Sequence, residues 1–297
     1  MKRVVMYIAM VFSVVLAMGT LAGCGQNASS GSSSAPSTSP AASKQSKDEV
    51  IAELKNITSK NPEIKSITVN EKTAWTYTNE ETAKPETVQA TGVYKFDMNG
   101  TEPKESITAE YADKKLQYFI DSKKDVLVID GTAYSGTTEQ FGTKDYIGFE
   151  TFVKHVIGDF DTIAGCATSA EKADSSGPRS YMLTLDPEKY MASDETLTAL
   201  KEAGFPVKDA LLTIVFDEKG NVSVMSMIVG FEDSSIEETL EFSDFNSTVV
   251  DPAPEATKTY EEMEESVRSE IQSLMKELDA YSSSVGKVSA APTANEK

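Results

Sequence analysis

Apolar and polar residues change rhythm along this chain, and the changes mark out its elements. Ser46-Lys47-Asp48-Glu49 has the spacing of a capping box, in which a Ser hydroxyl and a Glu carboxylate each satisfy the other's backbone amide. Val50, Ile51, Leu54 and Ile57 follow at helical spacing, so a helix is expected to about Thr58, ended by Asn61-Pro62. Period two then takes over. Ile67, Val69, Trp75 and Tyr77 share one parity, opposite Thr68, Asn70, Lys72 and Thr76. Successive strand side chains point to opposite faces, so this stretch reads as a half-buried strand. Tyr94, Phe96 and Met98 alternate with Lys95 and Asp97 before an Asn99-Gly100 turn. Ile107, Ala109 and Tyr111 alternate with Thr108 and Glu110. Leu116, Tyr118 and Ile120 continue the pattern, and "VLVID" with Asp130-Gly131 closes the run. Strands joined by turns this short predict an antiparallel meander.

The second half mixes both periods. Tyr146, Phe149, Val153, Val156 and Ile157 form one helical stripe, predicting a helix over 145–157. Tyr181, Leu183 and Leu185 return to strand parity. Ser193 is expected to cap a short helix closed by Gly204 and followed by Pro206. Residues 209–231 form the clearest hairpin, two strands around Glu218-Lys219-Gly220-Asn221. In its second strand both parities are apolar: Val222, Val224 and Ile228 against Met225, Met227, Val229 and Phe231. A strand with one solvated face alternates more cleanly, so both faces are expected to be covered. Leu240 and Phe242 point inward from one more strand. The order is helix, five strands, helix, strand, helix, three strands. Nothing alternates βαβ, which disfavours a Rossmann-type sheet and the two α/β lobes of an importer's solute-binding protein. The expected fold class is α+β: a single curved antiparallel sheet (a half-barrel) of about nine or ten strands with helices on one side. A sheet that large tends to curl.

After Pro252 and Pro254 the chain turns strongly helical. Tyr260, Met263, Val267, Ile271, Leu274, Leu278 and Tyr281 form a narrow stripe near the 3.5-residue period of coiled-coil seams. Acidic residues crowd its start, where the helix dipole favours them. The expectation is an acidic amphipathic helix over 257–284 and a disordered tail over 285–297. Two readings of the stripe stand: it docks on the chain's own sheet, or it pairs with another helix.

The N-terminus says where the protein resides. Lys2 and Arg3 precede an apolar run from Val4 to Met18, and small residues follow, which is the layout of an export signal. The run is short for a membrane span, which needs about 20 residues. Leu21-Ala22-Gly23-Cys24 then resembles the lipobox of bacterial lipoproteins. The resemblance implies that residues 1–23 are removed and that Cys24 carries a diacylglyceryl thioether and becomes the N-terminus. Two acyl chains anchor stably where one does not. Residues 24–46 are Ser-, Ala-, Gly- and Pro-rich and read as a flexible tether with a reach of about 25 Å. The expected location is the extracytoplasmic face of the cell membrane.

Charge narrows the partners. Lys and Arg number 28 and Asp and Glu 47, a net charge of −19, which repels nucleic acid and anionic headgroups. Catalytic chemistry finds little footing. His155 is the only histidine, on the expected helix over 145–157 and opposite its apolar stripe. One His and two Cys do not make a zinc site, and no phosphate-binding or Ca²⁺ loop is present. Cys166 cannot pair with Cys24 if Cys24 is a thioether, and is expected to be a small buried residue. Acidic pairs are plentiful, and sequence alone leaves a glycosidase dyad open. No enzyme, cofactor or metal is expected.

The lipobox, the tether, the meander, the Asp217–Gly220-Asn221-Val222 hairpin, the "FSDFN" strand (Phe242–Asn246) and "VDPAPEA" (Val250–Ala256) together resemble one family. It is the outer-membrane lipoprotein carrier superfamily, with its mycobacterial lipid-carrier lipoproteins, over roughly residues 47–256. The resemblance implies a curved half-barrel plugged by helices, whose cavity holds acyl chains. On that reading Tyr94, Phe96, Met98, Met225, Met227, Val229 and Phe231 are candidate cavity lining, with ordinary core packing as the plainer alternative for each methionine. The expected function is a lipid-anchored, non-enzymatic protein binding a lipid or acyl chain. The alternative is a structural lipoprotein that recruits a protein partner through residues 258–282.

Overall fold

The structure, a computed structural model, describes residues 45–58, 63–78, 83–99, 104–111, 114–120, 125–141, 160–173, 178–193, 207–232, 234–265 and 267–269. Twelve strands form one open sheet. The first helix, α1 (Lys47–Thr58), precedes β1 (Ser66–Thr78), β2 (Pro85–Asp97), β3 (Lys104–Tyr111), β4 (Lys114–Ile120), β5 (Asp125–Ile129) and β6 (Thr132–Gly136). Helices α2 (Thr138–Phe141) and α3 (Phe160–Cys166) lead to β7 (Ala167–Lys172) and β8 (Ser180–Leu185). Then come α4 (Pro187–Ser193), β9 (Asp209–Phe216), β10 (Val222–Gly230), β11 (Ser234–Ser243) and the two-residue β12 (Lys258–Thr259). The spatial order is β12-β6-β5-β4-β3-β2-β1-β11-β10-β9-β8-β7. Two sequential meanders, β1–β6 and β7–β11, therefore meet along a single join, β1 against β11.

Several local signals act as expected. Ser46 donates its backbone N–H to Glu49 Oε2 at 2.8 Å, and the Glu49 amide donates back to Ser46 Oγ at 3.4 Å, completing the capping box on α1. In the β9–β10 turn, Asp217 Oδ1 accepts the Asn221 amide at 2.8 Å and Oδ2 accepts Asn221 Nδ2 at 2.9 Å.

Burial alternates along most strands, with one face packed on the helices. Val50, Leu54 and Ile57 of α1, Phe141 of α2, Ile163 of α3 and Tyr190 of α4 join one core cluster with inward residues of β1–β6 and β7–β11. This is the core face. On the other face Val126, Val128 and Ala133 make a small second cluster beneath Ala253.

Several expectations are corrected. Among the described residues the strands number twelve, not nine or ten: β6, β7 and β12 are the additions. The sheet is mixed, because β12 lies parallel to β6. After β11 the chain crosses the outer face. There Thr248 hydrogen-bonds Thr68 (3.1 Å between hydroxyls), Lys95 pairs with Asp251 at 2.9 Å, and the Thr257 amide donates to the Ala133 carbonyl. It thus reaches β6 by a crossover and not a hairpin, which permits parallel pairing. The expected helix over 257–284 does not begin at 257. Residues 258–259 extend the sheet, and Tyr260–Glu262 form a 3₁₀ turn with a Thr259–Glu262 capping box. Helical residues are described only at 265 and 267–269, and residue 266 and those from 270 on lie outside the described residues. The first three residues of its apolar stripe dock inward: Tyr260 and Met263 are buried in the core, and Val267 packs against it. Ser193 is the last residue of α4, and the expected helices over 194–204 and 145–157 lie outside the described residues.

The two-faced burial expected of β10 is also corrected. A bulge between Val222 and Val224 lets two steps on β10 oppose one on β9. Val222 thereby joins Met225, Met227 and Val229 on the core face, while Val224 is half-buried and Ile228 is exposed. The bulge accounts for Val222 alone; Val224 and Ile228 stay on the outer face, incompletely covered.

Candidate functional site: the core face at the seam

The core face can be read row by row across the hydrogen-bonded register. In one row Gly92 (β2), Glu71 (β1), Leu240 (β11), Met225 (β10), Ile214 (β9) and Tyr181 (β8) stand opposite one another in turn. In the next, Ala90, Thr73, Glu238, Met227, Leu212 and Leu183 do the same. Both rows are apolar except where they cross β1 and β11. There the core face carries two glutamates, one on each side of the join between the meanders.

All seven lining candidates lie in or against this one cluster. Tyr94, Phe96, Met225, Met227 and Val229 are buried core residues, and Met98 and Phe231 pack partly buried against them. The structure brings them to the same side of the sheet, with Tyr94 and Phe96 on β2 and the methionines two strands beyond β1. Cys24 and His155 lie outside the described residues. Cys166 ends α3 as a buried core residue, as its size suggests.

The glutamates escaped the sequence reading. Glu71 and Glu238 are 1% and 0% exposed. Tyr94 donates its hydroxyl to Glu71 Oε2 at 2.5 Å, and Thr73 donates to Oε1 at 2.9 Å. Opposite Glu71 stands Gly92, and a Cβ there would lie 2.9 Å from Glu71 Oε2 and from the Tyr94 ring, so the bare α-carbon makes the room. Glu238 is treated differently: neither of its oxygens has a hydrogen-bond donor. The carboxyl of Glu71 lies within hydrogen-bonding reach, and that bond exists only when one of the two acids holds a proton. Burial, opposed by the bonds from Tyr94, Thr73 and Glu238, raises the Glu71 carboxyl to about 6. Burial, the adjacent charge of Glu71 and their hydrogen bond push Glu238 well above the usual carboxylate range. Two carboxyls that hydrogen-bond each other leave no space for a sugar between them, which removes this pair as a glycosidase dyad.

Two more acids, Glu105 and Asp125, share the core parity and are buried. Tyr118 donates to Asp125 Oδ2 at 2.5 Å. Among the described residues no Lys, Arg or His is buried with them. At the far corner the surroundings are opposite. Glu53 of α1 accepts from Lys172 Nζ at 2.7 Å and from the Tyr181 hydroxyl at 2.8 Å, both on Oε1. The Lys172 bond leads in holding Glu53 below the usual carboxylate range, and burial raises Tyr181. Parity carries the missed signal: Glu71 interrupts Ile67-Val69, and Glu238 interrupts Ile236-Leu240-Phe242, each on the apolar side.

No protein-family model matches the chain, and no curated protein matches it. Among solved structures, lipoprotein LppX of Mycobacterium tuberculosis aligns over 69% of this chain and 99% of that chain, at 12% identity and a TM-score of 0.39. LprF from Mycobacterium bovis aligns over 70% and 98%, at 14% identity and a TM-score of 0.40. A LolA superfamily protein from Nitrosomonas europaea aligns over 71% and 96%, at 9% identity and a TM-score of 0.22. Mycobacterial lipoproteins and a LolA-superfamily protein are thus among the structural neighbours, at low identity.

Proposed function

We propose that this protein is a lipid-anchored, extracytoplasmic lipoprotein that binds an apolar ligand, a lipid or acyl chain, against the core face of its sheet, without catalysing a reaction. One observation carries the reading: a single sheet turns one apolar face inward, from Tyr94 and Phe96 on β2 to Met225 and Met227 on β10. Such a face suits an acyl chain, which is held by apolar area and not by directed polar contacts. Met225 and Met227, unbranched and adaptable, lie on β10, three strands in from the β7 edge.

Anchoring rests on the lipobox at Cys24, with residues 24–46 as the tether that holds the domain off the membrane. The burial of Tyr260 and Met263 supports the C-terminal segment as a lid on this domain more than as a recruiter of other proteins. Deleting residues 258–297 separates those roles: loss of folding marks a lid, and loss of a complex without unfolding marks the interaction reading. The ligand reading is tested by irradiating the intact chain with a diazirine-labelled fatty acyl probe. Adducts on peptides carrying Met225 and Met227 are expected. Adducts confined to exposed Ile228 and Val249, or none, would overturn it.

A further inference from the structure

The join between the two meanders is unlike every other junction of long strands in the sheet. β1–β6 and β7–β11 each pair in sequence order, so each neighbour is delivered by the chain itself. The β1–β11 pairing, from Thr68 against Ser243 to Tyr77 against Ser234, is held by long-range contact alone. On its core face sit Glu71 and Glu238, diagonal neighbours on adjacent strands. Such neighbours lie within side-chain reach.

We propose that Glu71 and Glu238 form a proton-operated latch on this seam, closed when the pair holds a proton and loosened when it does not. The geometry sets the requirement. Glu238 is fully buried and neither oxygen has a donor, so its ionised form has nothing to replace water. A proton on Glu238 lets it donate to Glu71, which then accepts from Glu238, Tyr94 and Thr73 together. Removal of that proton turns the bond into two facing carboxylates across the seam.

The groups facing the pair are few. β2 contributes the Tyr94 hydroxyl and the bare α-carbon of Gly92. β1 contributes the Thr73 hydroxyl. β10 contributes Met225 and Met227, in register with Leu240 and Glu238. Lys72 and Glu241 cross the same seam at 2.8 Å, and they are exposed on the other face. Among the described residues no cation faces the pair, so of the groups described only a proton relieves its charge.

The direction follows from linkage. Both acids bind protons more tightly in the folded chain than in the unfolded one, so their contribution is fully present below the ordinary carboxylate range. The Glu71 share is lost as pH rises through about 6, and the share of the Glu238 proton, which closes the latch, at higher pH. The latch requires no ligand, so it stands or falls separately from the binding reading.

Thermal unfolding of the intact chain between about pH 4.5 and about pH 8 tests it, comparing wild type with Glu238→Gln. The Gln amide can donate to Glu71 in the proton's place. The expected result is a higher Tm than wild type at pH 8 and a flatter fall with pH. An unchanged slope would overturn the latch. Should the variant fail to fold, infrared spectroscopy of the wild-type chain decides. A protonated carboxyl band persisting through pH 6 and lost only at higher pH is expected, and its absence at pH 6 overturns the proposal. Hydrogen exchange, corrected for intrinsic rates, locates the effect. β1 and β11 amides should lose protection with rising pH before those of β8 and β9, and uniform loss across the sheet would contradict a seam latch.

Discussion

Glu53 and Glu238 are the same residue type on the same side of one sheet, and their surroundings push them in opposite directions. Glu53 lies at the α1–β7–β8 corner, where a lysine and a tyrosine both donate to it and its carboxyl is held low. Glu238 lies at the β1–β11 seam, where its nearest polar neighbour is another acid and its carboxyl is held high. Part of the difference is exposure: the Glu53 side chain is 26% exposed and Glu238 is fully buried. Burial leads at Glu238, followed by the charge of Glu71, and the Lys172 bond leads at Glu53. A cation makes the charged form the stable one; a second carboxyl makes the protonated form the stable one. The corner should therefore weaken as pH falls and the seam as pH rises.

Three substitutions break or sharpen this contrast, taken from the largest effect down. Phe216 packs edge-on against Tyr181 at 5.7 Å and is completely buried. Phe216→Ala should cost about 3–5 kcal/mol by chemical denaturation, since it removes apolar area and leaves a cavity. Its cost should be the same at every pH, because no proton is involved; a strongly pH-dependent cost would mean that packing and the Glu53 site are not separable. Gly92→Ala acts on the seam, where the added Cβ would crowd Glu71 Oε2 and the Tyr94 ring at 2.9 Å. A loss of about 1–3 kcal/mol is expected from overpacking. A neutral outcome would show that Glu71 shifts freely, contrary to a tightly built pair. Glu53→Gln is the smallest. Lys172 is 35% exposed, so solvent screens the pair, and about 0.5–1 kcal/mol should be lost at pH 7. Glu53 is held low in the folded chain, so its contribution is present above the ordinary carboxylate range and vanishes as pH falls through it. The loss should shrink in high salt and disappear below about pH 3; equal loss at pH 3 would assign the effect to packing.

Local signals told the strands and turns well, and the tertiary terms told the rest. The Ser46–Glu49 box and the Asp217–Asn221 turn are short-range devices that act within a few residues, so they survive any fold around them. β6 had a signal too: Asp130 and Gly131 both adopt positive φ, 48° and 78°, the backbone of a tight hairpin turn. Only its shortness hid the strand that follows. β7 ("ATSAEK") had no apolar pattern, since Ala167 and Ala170 alone are buried, and it exists because β8 offers an edge. β12 lies in a stretch with strong helical rhythm, and edge pairing with β6 overrides that rhythm for two residues. The bulge in β10 defeated parity at one position: one extra residue moved Val222 onto the face of Met225.

The seam acids show the converse failure. Parity reasoning looks for apolar majorities, and Glu71 and Glu238 stood out only as interruptions on strands otherwise in phase. An acid on the buried parity of a central strand is costly unless something satisfies it. Such an interruption is therefore a better pointer to special chemistry than an acidic pair on the surface. The lining candidates were legible for the opposite reason, since large apolar residues in phase are the ordinary signature of a buried face.

The central functional claim is that this face holds an apolar ligand. Native mass spectrometry of the protein purified from its own host tests that claim most directly. A discrete added mass is predicted beyond any acyl chains bonded to Cys24, lost on unfolding and extractable into organic solvent. A chain that carries no such mass, and takes up none when mixed with its host's extracted lipids, would contradict the account.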